Sequence, residues 1–217
     1  MSTEPGEART SADVARARLT LAALVLCASA SLFWLVHPWF ESVSDAALYL
    51  ATAKSLAQGS GHAYAGAPFL VRPPGFAVLL APLVAWRGFD FLLLNAFVSL
   101  CGVLALGLFF TSCRPRLGTA CAALLCVYLW LNPLWRELSN RTLSDLPGVA
   151  WLLGALLCAA RAERVRTWRA ELLLVFVLGL GAYLRTNLLL LVPALVAQRS
   201  LAHFRARAPG GDRKSVV

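Results

Sequence analysis

Leu19 to Val36 is an apolar run of 18 residues, and further runs follow at Phe91 to Thr111, Leu117 to Leu131, Leu143 to Ala160 and Leu172 to Ala197. Eighteen helical residues reach about 27 Å, close to the roughly 30 Å hydrocarbon layer of a bilayer. No strands of alternating polarity are available to close a barrel, so helices are left as the elements that can satisfy every backbone polar group in lipid. Composition agrees, since 59% of the 217 residues are hydrophobic, 14% are charged and the mean hydropathy is +0.68. Soluble domains carry about a quarter charged residues. The chain therefore reads as an all-α, polytopic transmembrane helical bundle rather than a soluble enzyme.

The net charge of +9 raises the question of nucleic acid. The Lys and Arg residues, however, cluster in short segments between apolar runs, as in the cytoplasmic loops of membrane proteins, and no nucleic-acid partner is expected. Cys27, Cys101, Cys121, Cys126 and Cys158 lie inside apolar runs and Cys113 ends one, with no CxxC spacing. They read as small core residues, and His37, His62 and His203 are too scattered for a metal site.

Residues 1–18 are polar and are expected to form a disordered cytoplasmic lead. Ala28-Ser29-Ala30 resembles a signal-peptidase site, but the apolar run continues to Phe33, Trp34 and Val36, which favours an uncleaved anchor. Residues 37–75 form a long mixed connection. After it, Phe76 to Trp86 covers only 11 residues, about 16 Å, too short to cross. With that stretch along the surface and Arg185-Thr186-Asn187 as a turn, 14 Lys/Arg lie inside and 6 outside. Letting the short stretch cross reverses the count to 7 against 13. Treating Leu172 to Ala197 as one helix gives 9 against 10 and leaves Arg185 at mid-membrane, at about 2.5 kcal/mol or more. The first threading is preferred: about six spans over 19–200, both termini cytoplasmic, and a basic cytoplasmic tail at 201–217. Three polar places then share the outer side, namely the 37–90 loop, the 132–145 loop and the Arg185 turn.

Ser44 is a plausible N-cap and Asp45 a first-turn acid for a helix running to about Gln58, ended by Gly59 and Gly61. On that helix Asp45, Tyr49 and Thr52 fall on one stripe against an alanine-rich remainder, which suggests an amphipathic juxtamembrane helix. Val71-Arg72-Pro73-Pro74-Gly75 is a stiff segment that would hold the Arg72 guanidinium in a set direction. In the second outer loop Glu137 is a candidate substrate-binding group, and Asn140-Arg141-Thr142 matches a glycosylation sequon of little weight. Asp145 lies inside the start of an apolar run, where an acid needs a partner or a task; its bland reading is a helix-start acid capped by Ser144 or Thr142. Arg185 must pair with an acid or an anionic ligand. Acids and arginines meeting at one surface suit a lipid-linked phosphate, because arginine offers a fork to phosphate oxygens and a carboxylate can accept a proton from an attacking hydroxyl. No GxGxxG, Walker A, HExxH or GxSxG pattern occurs.

The succession Asp45-x3-Tyr49-x3-Ala53-x3-Ala57-x-Gly59, Arg72-Pro73-Pro74-Gly75, Ser144-Asp145-x-Pro147 and Tyr183-Leu184-Arg185 resembles the N-terminal half of one family. That family is the dolichyl-phosphate-mannose protein mannosyltransferase and aminoarabinose transferase group, within the glycosyltransferase C superfamily. The resemblance spans about residues 19–200. It implies Asp45 as catalytic base, Asp145 as the acid opening the fourth span, and Arg72 and Arg185 beside the lipid phosphate. Tyr49 and Glu137 are grouped with the substrate-binding residues. It implies a polyprenyl-phosphate-linked sugar donor, an acceptor glycan, lipid or protein, and an outward-facing site in a bilayer, expected to be a bacterial plasma membrane. Many members carry two adjacent acids where this chain has Asp45-Ala46; a divalent cation is a possible cofactor that the sequence does not require. Members continue for several further spans, so the chain is expected to be a partial module. The alternative class is a non-enzymatic membrane protein, such as a transporter half or assembly subunit, with its charges paired internally.

Overall fold

The computed structural model describes residues 5–41 and 44–207. Eight α-helices dominate these residues: α1 (Pro5–Leu35), α2 (Ser44–Ala57), α3 (Gly75–Arg87), α4 (Phe91–Leu131), α5 (Pro133–Ser139), α6 (Asp145–Val165), α7 (Trp168–Leu184) and α8 (Leu191–Arg207). A two-stranded hairpin, β1 (Ala63–Tyr64) against β2 (Ala67–Pro68), and a 3-10 turn at Thr186–Leu190 complete them. Among the described residues, three helical segments are long and apolar enough to cross a membrane, Ser11–Ser31 within α1, Phe91–Leu131 and Asp145–Val165. The protein is an integral membrane protein.

Residues 5–18, expected as an unstructured lead, continue α1 upstream of Leu19. The tail from residue 208 lies outside the described residues, as do the first four residues and the side chain of Ser44 on which its capping role rests.

The two apolar runs expected at Phe91 to Thr111 and Leu117 to Leu131 are the two limbs of α4. Gly118 interrupts the helix at φ 78° and ψ 168°, a backbone conformation open to glycine and strained for other residues. The limbs fold back on each other: the Cys126 thiol reaches the Leu106 carbonyl at 3.6 Å, and Val103, Leu106, Phe110, Ala122 and Cys126 share one buried cluster with Ala28 of α1. α3 is 13 residues long, about 20 Å, and falls short of the hydrocarbon thickness as expected.

Leu172 to Ala197 is broken rather than continuous. α7 stops at Leu184, Arg185 is extended, and α8 runs back, so that Leu195 joins Ala159, Ala162 and Leu174 in a buried cluster and Arg199 reaches Glu171 at 2.9 Å. The single-helix option is thereby excluded. Small residues set the spacing between helices. A Cβ on Gly181 would lie 2.9 Å from the Trp151 ring, and the Trp151 indole N–H donates to the Val177 carbonyl at 2.8 Å, so α6 and α7 are held at close range. The largest buried cluster sits at the end of the bundle where Arg185 lies. It is built from Tyr49, Leu50, Ala53, Phe76, Leu80, Leu94, Val98, Leu146 and Leu184, and joins α2, α3, α4, α6 and α7.

Candidate functional site

Two of the acid–arginine pairs at this end of the bundle join segments far apart in the chain. Asp45, in the first turn of α2, accepts from Arg72 through both carboxylate oxygens, at 2.8 and 2.7 Å. Arg72 stands in the segment leading to α3, and the closeness of α3 to α7 is set by Gly75, where a Cβ would come within 2.5 Å of the Tyr183 carbonyl oxygen. The second pair joins Asp145, first residue of α6, to Arg185, just past the end of α7, at 2.6 Å. Gly148, one turn along α6, leaves the space through which the Arg185 side chain passes, its Cδ lying 3.3 Å from where a Cβ would be. All four side chains are between a third and just under half exposed. They are open to a ligand, and in such settings an ion pair contributes about 0–1 kcal/mol.

A third contact ties the pairs together. The Tyr49 hydroxyl, one helical turn from Asp45, lies 3.2 Å from the Ser144 hydroxyl, the neighbour of Asp145. The Tyr49 ring packs edge-on against Phe76 with centroids 5.0 Å apart. Four segments far apart along the chain, at residues 45–49, 72–76, 144–148 and 183–185, are thus in contact with one another.

The inward direction of Tyr49 corrects the reading of α2. Its polar stripe faces the protein: Tyr49 is 5% exposed and Thr52 fully buried, while Ala47, Lys54 and Ala57 are exposed. Thr52 satisfies its hydroxyl locally, on the carbonyls of Leu48 and Tyr49, so its burial leaves no polar atom without a partner. The Tyr49 phenol packs on Phe76 and meets Ser144, and these contacts hold it between the two pairs. The proposed caps of α6 are also otherwise engaged: Ser144 with Tyr49, and Thr142 with Asn95 at 3.2 Å.

Glu137 belongs to a separate network at the same end. It pairs with Arg141, whose Nε also donates to Glu41 at 2.7 Å, and Glu41 lies 3.4 Å from His37 Nε2. The hydrogen bond from Arg141 to Glu41 raises the arginine pKa further above its ordinary value, so the guanidinium stays charged. Asn95 and Asn140, which sequence reasoning missed, anchor the same region. Asn95 donates to the His37 carbonyl at 3.0 Å and accepts from Thr142; Asn140 donates to the Leu35 carbonyl at 2.8 Å and accepts from the His37 N–H at 3.1 Å. Asn140 and Thr142 are 8% and 2% exposed, so the sequon triplet is folded into the protein and its amide is occupied.

Asp45 and Asp145 each face an arginine rather than each other. Among the described residues no group of three or more His, Cys, Asp or Glu is placed to hold a metal ion. The arrangement offers two forked cations beside two carboxylates, which suits binding an anion while accepting a proton from a nearby hydroxyl.

Residues 71–208 match the family model described as Dolichyl-phosphate-mannose-protein mannosyltransferase. The matched stretch contains Arg72, Glu137, Asp145 and Arg185 and begins after Asp45 and Tyr49. No curated protein and no solved structure matches the chain.

Proposed function

The chain belongs to the dolichyl-phosphate-mannose-protein mannosyltransferase family, and from that premise we propose that it takes a sugar from a polyprenyl-phosphate carrier and passes it to an acceptor hydroxyl at the outward-facing end of the bundle. The family supports a membrane glycosyltransferase-like role. The reading of donor, acceptor and side rests on one observation above all, the gathering of Asp45, Arg72, Asp145 and Arg185 by contacts among four distant segments.

In this reading the donor phosphate displaces Asp45 from the Arg72 fork. The donor phosphodiester carries one negative charge, as the carboxylate does, and gains further charge as its bond to the sugar breaks, so the guanidinium holds it most strongly as transfer proceeds. The freed Asp45 carboxylate accepts the proton of the acceptor hydroxyl as its oxygen attacks the anomeric carbon and the bond from that carbon to the phosphate oxygen breaks. Arg72 and Arg185 hold the charge that builds on the departing phosphate, and stabilisation of this kind is usually the largest catalytic contribution. Asp145 keeps Arg185 extended toward the site. The six-span threading with both termini cytoplasmic belongs to the same proposal, since it sets the side on which transfer takes place.

The test is Asp45→Asn in membranes supplied with a radiolabelled polyprenyl-phosphate sugar. Transfer is expected to vanish while insertion is unchanged, and undiminished transfer overturns the assignment. The internal pairing of both acids is the observation that favours the non-enzymatic alternative. Cysteine labelling at position 145 separates the two readings, because a cytoplasmic position 145 removes the outward site.

A further inference from the structure

A groove runs along another flank of α4, between α1 and the hairpin that turns at Gly118. Its wider part, about 300 Å³, is walled by side chains such as Leu24, Ala28, Leu106, Gly107 and Val127. Two of the polar groups along it are used within the protein, the Thr20 hydroxyl on the Arg16 carbonyl and the Cys126 thiol on the Leu106 carbonyl. Ala28, Val103, Leu106 and Trp130 also line a smaller cavity that reaches Ser99, Trp135, Arg136 and Ser139. Sharing these four side chains, the two cavities lie in succession from the middle of the Ser11–Ser31 span toward the end of the bundle that carries the acid–arginine pairs, along a path walled mainly by α1 and α4.

The mouth of that path has its own chemistry. Arg136 is exposed there, and no carboxylate among the described residues pairs with it, because Glu137 and Glu41 are both taken by Arg141. Trp130 and Trp135 flank it, and indoles of this kind settle at the boundary between hydrocarbon and head groups. An unpaired guanidinium above an apolar slot matches a molecule with a phosphate at one end and a hydrocarbon chain below it. In lipid such a slot fills with chain, since an empty one leaves its walls without dispersion contacts. Its walls are α1 and α4, whereas Asp45, Arg72, Asp145 and Arg185 stand on α2, ahead of α3, on α6 and after α7. A phosphate on Arg136 therefore contacts a different set of residues from those of the transfer site.

We propose that this groove is a resident-lipid site that takes one acyl chain of an anionic phospholipid and seats its phosphate on Arg136. The bulk bilayer supplies that lipid, and its second chain stays in the membrane. The site does not depend on the glycosyltransferase mechanism.

The experiment uses the full chain in phosphatidylcholine nanodiscs containing phosphatidylglycerol with a diazirine in one acyl chain. After irradiation, adducts are expected on groove residues such as Val103, Leu106 and Val127. Arg136→Gln should lower them about fivefold, as expected for one interfacial arginine. Gly107→Leu, which fills the slot, should remove them while the chain inserts normally. Equal labelling by a phosphatidylcholine probe, adducts spread evenly over the lipid faces of α7 and α8, or unchanged labelling in Arg136→Gln would each overturn the site. So would displacement of the probe by excess polyprenyl phosphate, which assigns the groove to an isoprenoid carrier.

Discussion

Two charged regions share one end of this bundle and are built differently. The Asp45–Arg72 and Asp145–Arg185 pairs are one-to-one, partly exposed and joined by a single hydroxyl contact. The neighbouring network shares Arg141 between Glu41 and Glu137 and is backed by Asn95 and Asn140, whose amides cap backbone groups from residues 35, 37 and 39. A one-to-one pair can be opened by an incoming anion at the cost of one weak contact. A buried amide with several partners cannot, because each backbone group it leaves is stranded away from water. Under the proposed function, the difference suits the first region to exchange and the second to latching.

The largest expected effect tests the scaffold beneath the pairs. Gly75→Ala drives a Cβ into the backbone of Tyr183 and should push α3 from α7, destabilising the protein by about 3 kcal/mol, the upper range for overpacking. Thermal unfolding in detergent measures it. A fall under 0.5 kcal/mol, roughly the level of a neutral surface change, would mean that the helices are not held this closely.

Next in size is Asn140→Ala, expected to cost about 2 kcal/mol by stranding the Leu35 carbonyl and the His37 N–H. Its companion measurement separates the regions: the affinity for a phosphate-bearing lipid should hold in the folded fraction. If affinity falls with stability intact, Asn140 belongs to the binding region and the comparison fails.

Tyr49→Phe is smaller again. Removing the phenol oxygen leaves Ser144 without this partner and should cost about 1 kcal/mol. Transfer is expected to fall further than stability, because Asp45 and Asp145 lose their link. Combined with Ser144→Ala the losses should not add, since both changes remove the same contact. Additive losses would show that the hydroxyls act separately.

Much of this arrangement was legible. Arg185 interrupts an apolar run and Asp145 opens another, and charge asymmetry between the loops places both at one end. The fold-back of α4 is announced by Arg114-Pro115-Arg116 and Gly118 between two apolar limbs. The direction of α2 was not legible. A helical stripe says which residues share a face, but in a membrane protein a polar face turns to water or to polar partners, and the partner Ser144 is 95 residues away. The latch escaped for the same reason. Asn95 is a single amide at the start of an apolar helix and meets Thr142 only in the fold, while Asn140 carries a sequon whose local pattern hides its burial.

Glu137 gives the finest test, because it sits in the latch yet was grouped with the substrate residues. Glu137→Gln removes one of two acids on Arg141 and leaves Glu41 in place, so the guanidinium keeps a charged partner. Glu137 is exposed and Arg141 partly so, and loss of the pair should cost about 0.5 kcal/mol or less. Transfer from a polyprenyl-phosphate sugar should match the parent at saturating donor and acceptor. A selective rise in KM for the acceptor, with unfolding unchanged, would place Glu137 against the substrate. The boundary between the two regions would then run through Arg141, with Glu41 alone on the latch side.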